Sequence, residues 1–261
     1  MTSAPVILSV EGLTKSYGGV HAVRGVSFAL RAGEILALIG PNGAGKSTCF
    51  DMLNGQKIPD SGHIVLLGEI TTGHAPREIW RLGVGRTFQI TATFPTMTVR
   101  ENVQVALVSH RGQLFNFWSS TPKLAREEAG RLLELVGMSG YADRPCGELA
   151  YGDLKRIELA VALANAPRLL LMDEPTAGMA AGERQALMAL IARLARERTI
   201  SILFTEHDMD VVFAHADRII VLNRGQLIAD GLPAAVRADP HVRDVYLGSG
   251  AMFAAQEGAS A

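Results

Sequence analysis

The residues from Gly40 to Thr48 carry the most specific chemical pattern in this sequence. They read Gly-Pro-Asn-Gly-Ala-Gly-Lys-Ser-Thr and follow an apolar run at residues 35–39. Gly43 and Gly45 let the backbone curl with its N–H groups inward, and no Cβ blocks the approach of an anion. A helix that begins near Lys46 adds the positive end of its dipole. The pattern predicts a loop that binds the phosphates of a nucleoside triphosphate.

Individual residues in this loop suit that chemistry. Lys46 supplies an ammonium group for the outer phosphates, and the hydroxyl of Ser47 suits Mg²⁺, which prefers oxygen ligands. The residues of this loop predicted to contact nucleotide are Gly40, Asn42, Gly43, Ala44, Gly45, Lys46, Ser47 and Thr48.

A second pattern, rich in carboxylates, ends another apolar run. Residues 169–172 read Leu-Leu-Leu-Met and lead directly into Asp173 and Glu174. The carboxyl end of a buried strand is where α/β sheets place ligand chemistry. Asp173 can hold the magnesium through water beside Ser47, and Glu174 can polarise an attacking water as a general base.

Short strands alternating with helices must position these residues. Strands are expected at Ile7–Val10, Val26–Leu30, Ile35–Ile39, Ile64–Leu67, Leu169–Met172, Thr199–Phe204, Arg218–Leu222 and Leu227–Ala229, and helices at Lys46–Asn54, at Gly182–Arg198 and from Asp208. The expected fold class is α/β: a P-loop NTPase core with a parallel sheet, an antiparallel β subdomain and a helical subdomain.

The same patterns predict how the chain is divided. Residues 1–90 and 164–248 are expected to form the nucleotide-binding core with its antiparallel β layer. Residues 91–163, where apolar positions recur with a helical period, are expected to form the helical subdomain. Residues 249–261 are rich in Ala, Gly and Ser and are expected to be a flexible tail.

The bulk composition excludes several other classes. The 261 residues carry a net charge of −1, so no global field indicates nucleic acid as a partner. Cys49 and Cys146 lie far apart and are expected to be free thiols. The N-terminal residues show no secretory signal, and no apolar run approaches the roughly 18 residues of a spanning helix. Any membrane role is therefore expected to come through a partner.

With both phosphate patterns in place, the chain from Leu8 to Gly248 resembles the ATP-binding subunits of ABC transporters. The resemblance implies ATP and Mg²⁺ as cofactors. It implies that Gln89, in Arg-Thr-Phe-Gln, senses the magnesium and the γ-phosphate and shares in catalysis. It also implies that His207 contacts the γ-phosphate as a catalytic switch, and that Tyr17 stacks on adenine. The metal-site residues are then Ser47, Gln89 and Asp173.

The signature stretch of that family departs from its usual form here. Leu-Ala-Tyr-Gly-Asp at residues 149–153 stands in place of Leu-Ser-Gly-Gly-Gln. Ala150, Tyr151 and Gly152 would still begin a helix whose free N–H groups bind the γ-phosphate held by an opposite subunit. Ala150 lacks the serine hydroxyl. Asp153 replaces glutamine with a carboxylate, which suits a helix start but would repel phosphate if it turned inward. Ala180, in the loop after Glu174, stands where the family usually has an aspartate. In the family, the loop that holds Ala180 here contacts the opposite subunit.

The form of the signature is similar to that of subunits serving branched-chain and other hydrophobic amino acids. So is the stretch Glu-Pro-Thr-Ala-Gly-Met at 174–179. The resemblance implies transmembrane permease subunits as partners, a second ATP-binding subunit in a homodimer or heterodimer, and indirectly a solute-binding protein. The location implied is the cytoplasmic face of the inner or plasma membrane, reached through those partners.

Two segments are candidates for contact with the permease. Residues Ile90–Val103, with Phe-Pro-Thr-Met at 94–97, are the better candidate for a docking groove. The aromatic segment His110–Pro122 either packs on the helical subdomain or forms part of the same patch.

Three other functions compete with ATP-driven import of amino acids. An ATPase for lipopolysaccharide export has the same fold, but the Ala-Tyr form of the signature argues against it. A regulatory ATP switch with poor turnover would fit Ala150, Asp153 and Ala180. A small-molecule phosphotransferase is disfavoured, because the Asp-Glu pair and His207 suit attack by water.

Overall fold

A central sheet of buried strands positions the predicted site. The computed structural model describes residues 4–87, 93–110 and 121–247. Its strands are β1 (Val6–Tyr17), β2 (Val20–Arg31), β3 (Ile35–Ile39), β4 (Ser61–Leu66), β5 (Glu69–Ile70), β6 (Val84–Thr87), β7 (Leu169–Asp173), β8 (Ser201–Thr205), β9 (Arg218–Asn223) and β10 (Gln226–Gly231). Its helices are α1 (Lys46–Leu53), α2 (Pro76–Arg81), α3 (Val99–His110), α4 (Thr121–Leu135), α5 (Tyr151–Leu163), α6 (Ala181–Arg198), α7 (Met209–His215), α8 (Pro233–Ala238) and α9 (Pro240–Leu247).

Within the described residues the central sheet has six strands in the order β10-β9-β3-β8-β7-β6. Strands β9, β3, β8, β7 and β6 run parallel to their neighbours, whereas β10 pairs antiparallel with β9 at one edge. Every residue of β3 and β8 is buried. Such continuous apolar runs are typical of strands covered on both faces.

Strand β3 shows how the sheet separates two hydrophobic cores. Ile35, Ala37 and Ile39 belong to a core shared with helices α3 to α7. The alternate residues Leu36 and Leu38 belong to a core shared with α1 and the other sheet. Because side chains alternate along a strand, one five-residue run anchors both layers.

The second sheet is antiparallel and covers one face of the first. Its order among the described residues is β2-β1-β4-β5. Leu8, Val10 and Leu13 of β1 are buried in the core that it shares with α1. The predicted α/β class, with a mainly parallel sheet, an antiparallel β layer and helices in the middle of the chain, is confirmed.

Helices α3, α4 and α5 pack on one another. Their contacts are made by buried apolar residues at helical spacing, including Val99, Val103, Leu107, Ala129, Leu133 and Ile157. Helix α3 begins with a capping box, because Glu101 accepts from the Thr98 backbone N–H at 2.7 Å while Thr98 Oγ1 accepts from the Glu101 N–H at 3.2 Å.

Asn102 on α3 ties the preceding loop to the helix. Its Oδ1 accepts from the Phe94 N–H at 2.7 Å, and its Nδ2 donates to the carbonyls of Phe94 at 3.1 Å and Thr98 at 2.9 Å. The Asn102 side chain is buried, whereas Phe94 is 52% exposed. The amide therefore holds a loop that presents an aromatic ring to solvent.

The sequence patterns misplaced or missed some elements. The strand predicted from Thr199 begins at Ser201, because Thr199 takes a left-handed conformation, with a φ of 54°, to end α6. Strand β6 was not predicted, since Val-Gly-Arg-Thr is short and half polar; it is a strand because it pairs with β7. The short helices α8 and α9 were also not predicted.

Two predictions about the chain's surroundings can be compared with the structure. Both cysteines are free, as predicted. Both are also buried, and burial raises the pKa of the Cys49 thiol to about 12. Of the helices in the described ranges, none combines the length and apolarity needed to cross a bilayer.

We expect Asn102→Ala to lower the free energy of unfolding by about 1–3 kcal/mol, because it leaves the Phe94 N–H and nearby carbonyls without their buried partner. Chemical denaturation would measure the change. Arg193→Ala is the control, since its ion pair with Glu197 is exposed and contributes less than about 1 kcal/mol. Equal effects of the two substitutions would contradict this role of Asn102.

Candidate active site

The site lies where three neighbouring parallel strands end. The phosphate-binding loop follows β3, Asp173 ends β7, and Glu206 and His207 follow β8. In the sheet β8 lies between β3 and β7, with Asp173 opposite Thr205. This register places the three loops side by side at the carboxyl edge of the sheet.

The loop from Gly40 to Thr48 needs glycine at specific places. Gly45 has a φ of 103°, and a Cβ there would lie 2.3 Å from the carbonyl oxygen of Ala22. The loop therefore lies against β2 in a conformation closed to other residues. No side chain caps the N-terminus of α1 that follows, and its first turn carries no acidic residue. Its N–H groups are thus left for an anion.

The remaining loop residues differ in exposure. Asn42, Gly43 and Ser47 are exposed, Thr48 is half-buried, and Ala44 is buried. Ser47 is therefore accessible to an ion that would bind beside the loop.

Lys46 is held over the loop that it belongs to. Its Nζ donates to the carbonyl oxygens of Gly40 at 2.6 Å and Pro41 at 3.1 Å. Burial lowers the pKa of the Lys46 ammonium, and the negative charges of Glu174 and Asp173 act in the opposite direction. The predicted phosphate ligand is thus a largely buried cation that faces both predicted carboxylates.

Thr205 organises those carboxylates. Its Oγ1 donates to Asp173 Oδ1 at 2.6 Å and accepts from the Glu174 N–H at 3.0 Å. Glu174 has a φ of 48°, which is uncommon for a residue other than glycine. Backbone strain of this kind occurs mostly at functional sites, where the surrounding structure must stabilise the strained conformation.

Glu174 and His207 form a direct pair. The distance from His207 Nε2 to Glu174 Oε1 is 2.6 Å. His207 stands just before α7, whose N-terminus is capped by Asp208 accepting from Asp210 N–H at 3.0 Å. Arg184 on α6 forms an ion pair with Asp208 at 3.1 Å. The imidazole is therefore placed by a capped helix start and touches the predicted base.

The signature residues begin helix α5. Ala150 is its N-cap residue and offers no side-chain cap, and Tyr151 and Gly152 form its first turn together with Asp153. Within the described residues no hydrogen bond links this helix start to the phosphate-binding loop of the same chain. Ala150 and Tyr151 are exposed.

Tyr17 ends β1 with an exposed ring near two cations. The ammonium groups of Lys57 and Lys15 lie 5.2 Å and 5.7 Å from the ring centroid. The hydrogen bond that the Lys57 ammonium donates to the Asp51 carboxylate is the largest cause that raises the pKa of Lys57. The sequence patterns identified the tyrosine but not the lysines around it.

Gln89, the remaining predicted catalytic and metal-site residue, lies outside the described residues. Among the residues that the structure does describe, no three His, Cys, Asp or Glu side chains converge into a metal cage. Magnesium bound with a triphosphate needs only one or two side-chain oxygens, which Ser47 and Asp173 can supply.

Three residues of this region were missed by sequence reasoning. Thr205 bridges Asp173 and Glu174, and Glu206 bonds Thr176 through a buried hydrogen bond of 2.6 Å. Thr205 and Glu206 directly precede His207, so their position beside a predicted site residue was the available signal.

Comparison with known proteins gives the family. A profile described as "ABC transporter" matches residues 23–177 of this chain. The chain belongs to the ABC transporter ATP-binding family. A second profile, described as "Branched-chain amino acid ATP-binding cassette transporter", matches residues 226–251, which include β10, α8 and α9.

Named relatives of this ABC chain match along nearly their whole length. The high-affinity branched-chain amino acid transport ATP-binding protein BraF of Pseudomonas aeruginosa is 42% identical, covering 93% of this chain and 98% of the relative. LivG of Escherichia coli, which has the same descriptive name, is 41% identical with the same coverage. The alternative of lipopolysaccharide export is not favoured by these relatives.

Solved structures agree with the fold. The ADP conformation of MJ1267, an ATP-binding cassette of an ABC transporter, superposes with a TM-score of 0.85 at 32% identity, covering 94% of this chain and 100% of that one. The dimeric post-hydrolysis state of the cassette MJ0796, bound to ADP and Pi, has a TM-score of 0.75 at 25% identity and covers 87% of this chain and 99% of that one.

We expect Gly45→Ala to lower the free energy of unfolding by about 2 kcal/mol more than Gly19→Ala, because overpacking adds to the backbone strain. Gly19 is the matched control: its φ is 88°, but a Cβ there would meet no heavy atom within 4 Å. Denaturation of both variants would measure the difference, and ATP titration should show weaker binding for Gly45→Ala alone. Equal losses would show that the contact with Ala22 is not what requires glycine.

Proposed function

We propose that this protein is the ATP-hydrolysing subunit of an ABC importer for branched-chain or other hydrophobic amino acids. The observation that carries the catalytic half of the proposal is the pair of Glu174 and His207 at 2.6 Å, beside the buried Lys46. The solute class is supported by the profile match at residues 226–251 and by relatives matched along 98% of their length. The reaction is conversion of ATP and water to ADP and phosphate.

The nucleotide is bound by groups that the fold has already placed. The N–H groups from Gly43 to Thr48 surround the phosphates, and Lys46 exchanges its bonds to two loop carbonyls for bonds to phosphate oxygens. The exposed ring of Tyr17 stacks on adenine, with the ammonium groups of Lys15 and Lys57 beside it. Ser47, Asp173 and Gln89 hold Mg²⁺, which supplies charge neutralisation for the triphosphate when bound.

Glu174 is the general base. Its carboxylate accepts from His207 Nε2–H in the structure described here, so one carboxylate oxygen is engaged by the imidazole. When His207 turns to donate to the γ-phosphate instead, that oxygen becomes available to take a proton from the attacking water. Binding of the terminal phosphate and activation of the base are therefore coupled through one hydrogen bond.

A second subunit completes the site. The exposed start of α5, with Ala150, Tyr151 and Gly152, presents uncapped N–H groups that suit the γ-phosphate of a nucleotide held by the partner. The dimeric MJ0796 cassette supports such a pairing. Either a second copy or a related subunit fills this role.

Membrane attachment comes through permease subunits. The exposed ring of Phe94, on the loop that Asn102 holds in place, is the contact that we assign to them on the cytoplasmic side. A solute-binding protein delivers the amino acid to those permease subunits.

We retain the division of the chain into a core, at 1–90 and 164–248, and a helical subdomain, at 91–163, as part of this proposal, with 249–261 as a tail. The aromatic residues at 114–118 lie outside the described residues.

We expect Glu174→Gln to lower the ATPase kcat by about 100-fold or more, because the amide cannot accept the proton of the attacking water. The variant should bind ATP with unchanged affinity and accumulate as an ATP-bound dimer. Phosphate release and sedimentation in Mg²⁺ and ATP would measure both effects.

Glu197→Gln, the same chemical change at an exposed ion pair on α6, should leave both properties unchanged. If Glu174→Gln hydrolyses ATP at the wild-type rate, Glu174 is not the base.

We expect Ala150→Ser to raise kcat by about fivefold, because a hydroxyl at the start of α5 adds a donor to charged phosphate that contributes roughly 1 kcal/mol. Ala150→Cys is the control for size, since a thiol is a much weaker donor. Steady-state ATPase assays would compare the three proteins. A kcat of Ala150→Ser below that of wild type would show that the start of α5 functions better without a hydroxyl at position 150.

A further inference from the structure

A buried carboxylate beside the site takes no part in the chemistry described so far. Glu206 follows β8 and is only 4% exposed. Its Oε1 accepts from Thr176 Oγ1 at 2.6 Å and from the Thr176 N–H at 2.9 Å. Its Oε2 accepts from the His207 N–H at 3.2 Å. The Glu206 side chain therefore links Thr176, which lies two residues after Glu174, to the backbone of His207.

The chemistry of these bonds requires a carboxylate. All three partners are N–H or O–H donors, so both oxygens of residue 206 must act as acceptors. Within the described ranges Glu206 forms no ion pair, and its charge is balanced by these donors. Thr176 is completely buried, so its hydroxyl has no water to replace a lost bond. A glutamine at position 206 would keep the shape of the glutamate side chain. Its NH2 group, however, would face one of these N–H or O–H donors and could not accept from it.

The loop held by Thr176 leads to the start of α5. A Cβ built on Gly178 would lie 3.4 Å from a ring carbon of Tyr151. A Cβ built on Gly152 would lie 3.5 Å from Glu183 and from Met179. The segment 178–183 therefore lies beside the first turn of the helix that we assign to the partner's phosphate.

We propose that Glu206 and Thr176 form a positioning pair that joins the conformation of His207 to that of the loop at 176–180. Movement of the His207 backbone pulls on Oε2, and Oε1 transmits the displacement to Thr176 and the loop against Tyr151. Glu206 is a positioning residue, because its hydrogen bonds go to Thr176 and to the backbone of His207, so that it acts through them. Its effect on turnover rests on the proposed function, whereas its hold on the loop does not.

The test compares Thr176→Val with Thr176→Ser, and adds Glu206→Gln. Valine has the shape of threonine without the hydroxyl, and serine restores the hydroxyl. Hydrogen exchange of the peptide at 174–181, in protein without nucleotide, should be about tenfold faster in Thr176→Val and Glu206→Gln, since loss of one buried hydrogen bond amounts to about 1.4 kcal/mol. Thr176→Ser should exchange like wild type.

Measurements of kcat, KM and ATP affinity distinguish a positioning role of the pair from a general loss of structure. We expect kcat to fall about tenfold in Thr176→Val and Glu206→Gln, with KM and ATP affinity within about twofold of wild type, and to be restored in Thr176→Ser. Unchanged exchange of peptide 174–181 in Thr176→Val and Glu206→Gln would overturn the pair. The pair would also be overturned if exchange were faster in these variants but kcat were unchanged, or if the variants lost ATP affinity and kcat equally. If wild type itself hydrolyses no ATP, the proposed function fails, while the exchange experiment still decides whether the pair holds the loop.

Discussion

The parallel pairing of β3, β8 and β7 is the constraint on which the site depends. These strands are buried on both faces, so their register is determined by two hydrophobic cores at once. A shift of β8 by one residue would exchange Ile202 and Leu203 between those cores. It would also move Thr205 away from Asp173. The free energy of apolar burial therefore determines where the polar groups of the site meet.

Electrostatics then follow from that geometry. Lys46 is taken out of water among its own loop carbonyls, and burial lowers its pKa. The nearby charges of Asp173 and Glu174 favour the protonated form, and they also repel an incoming triphosphate. A divalent cation held by Ser47 and Asp173, as proposed above, would offset that repulsion, and we infer that the acidic strand end and the lysine loop occur together for this reason.

Sequence reasoning found the parts of this site that depend on residue type at short spacing. The loop at Gly40–Thr48 and the Asp173–Glu174 pair could be identified because their chemistry is local. Strands β3, β7 and β9 could be predicted from apolar runs alone. Strand β6 could not, because its four residues become a strand only through pairing with β7.

The same distinction explains the bonds that were missed. Thr205 and Asp173 are 32 residues apart, and Thr176 and Glu206 are 30 apart. No local spacing reveals such pairs, since they depend on which strands become neighbours. Glu206 was also hidden by its own type, because a glutamate beside a histidine is normally solvated. Its burial is visible only in the fold.

In the function proposed above, the pairing of Glu174 with His207 keeps the nucleotide-free site inactive. A carboxylate that accepts a hydrogen bond from an imidazole has lost part of its capacity to accept a proton from water. Release requires a competing acceptor for the imidazole N–H, and the γ-phosphate is the one that ATP has and ADP lacks. Discrimination between the two nucleotides can thus arise from one hydrogen bond that changes partner. Glu206 accepts a hydrogen bond from the backbone N–H of that same histidine. The loop facing α5 can therefore respond when the His207 imidazole changes its partner.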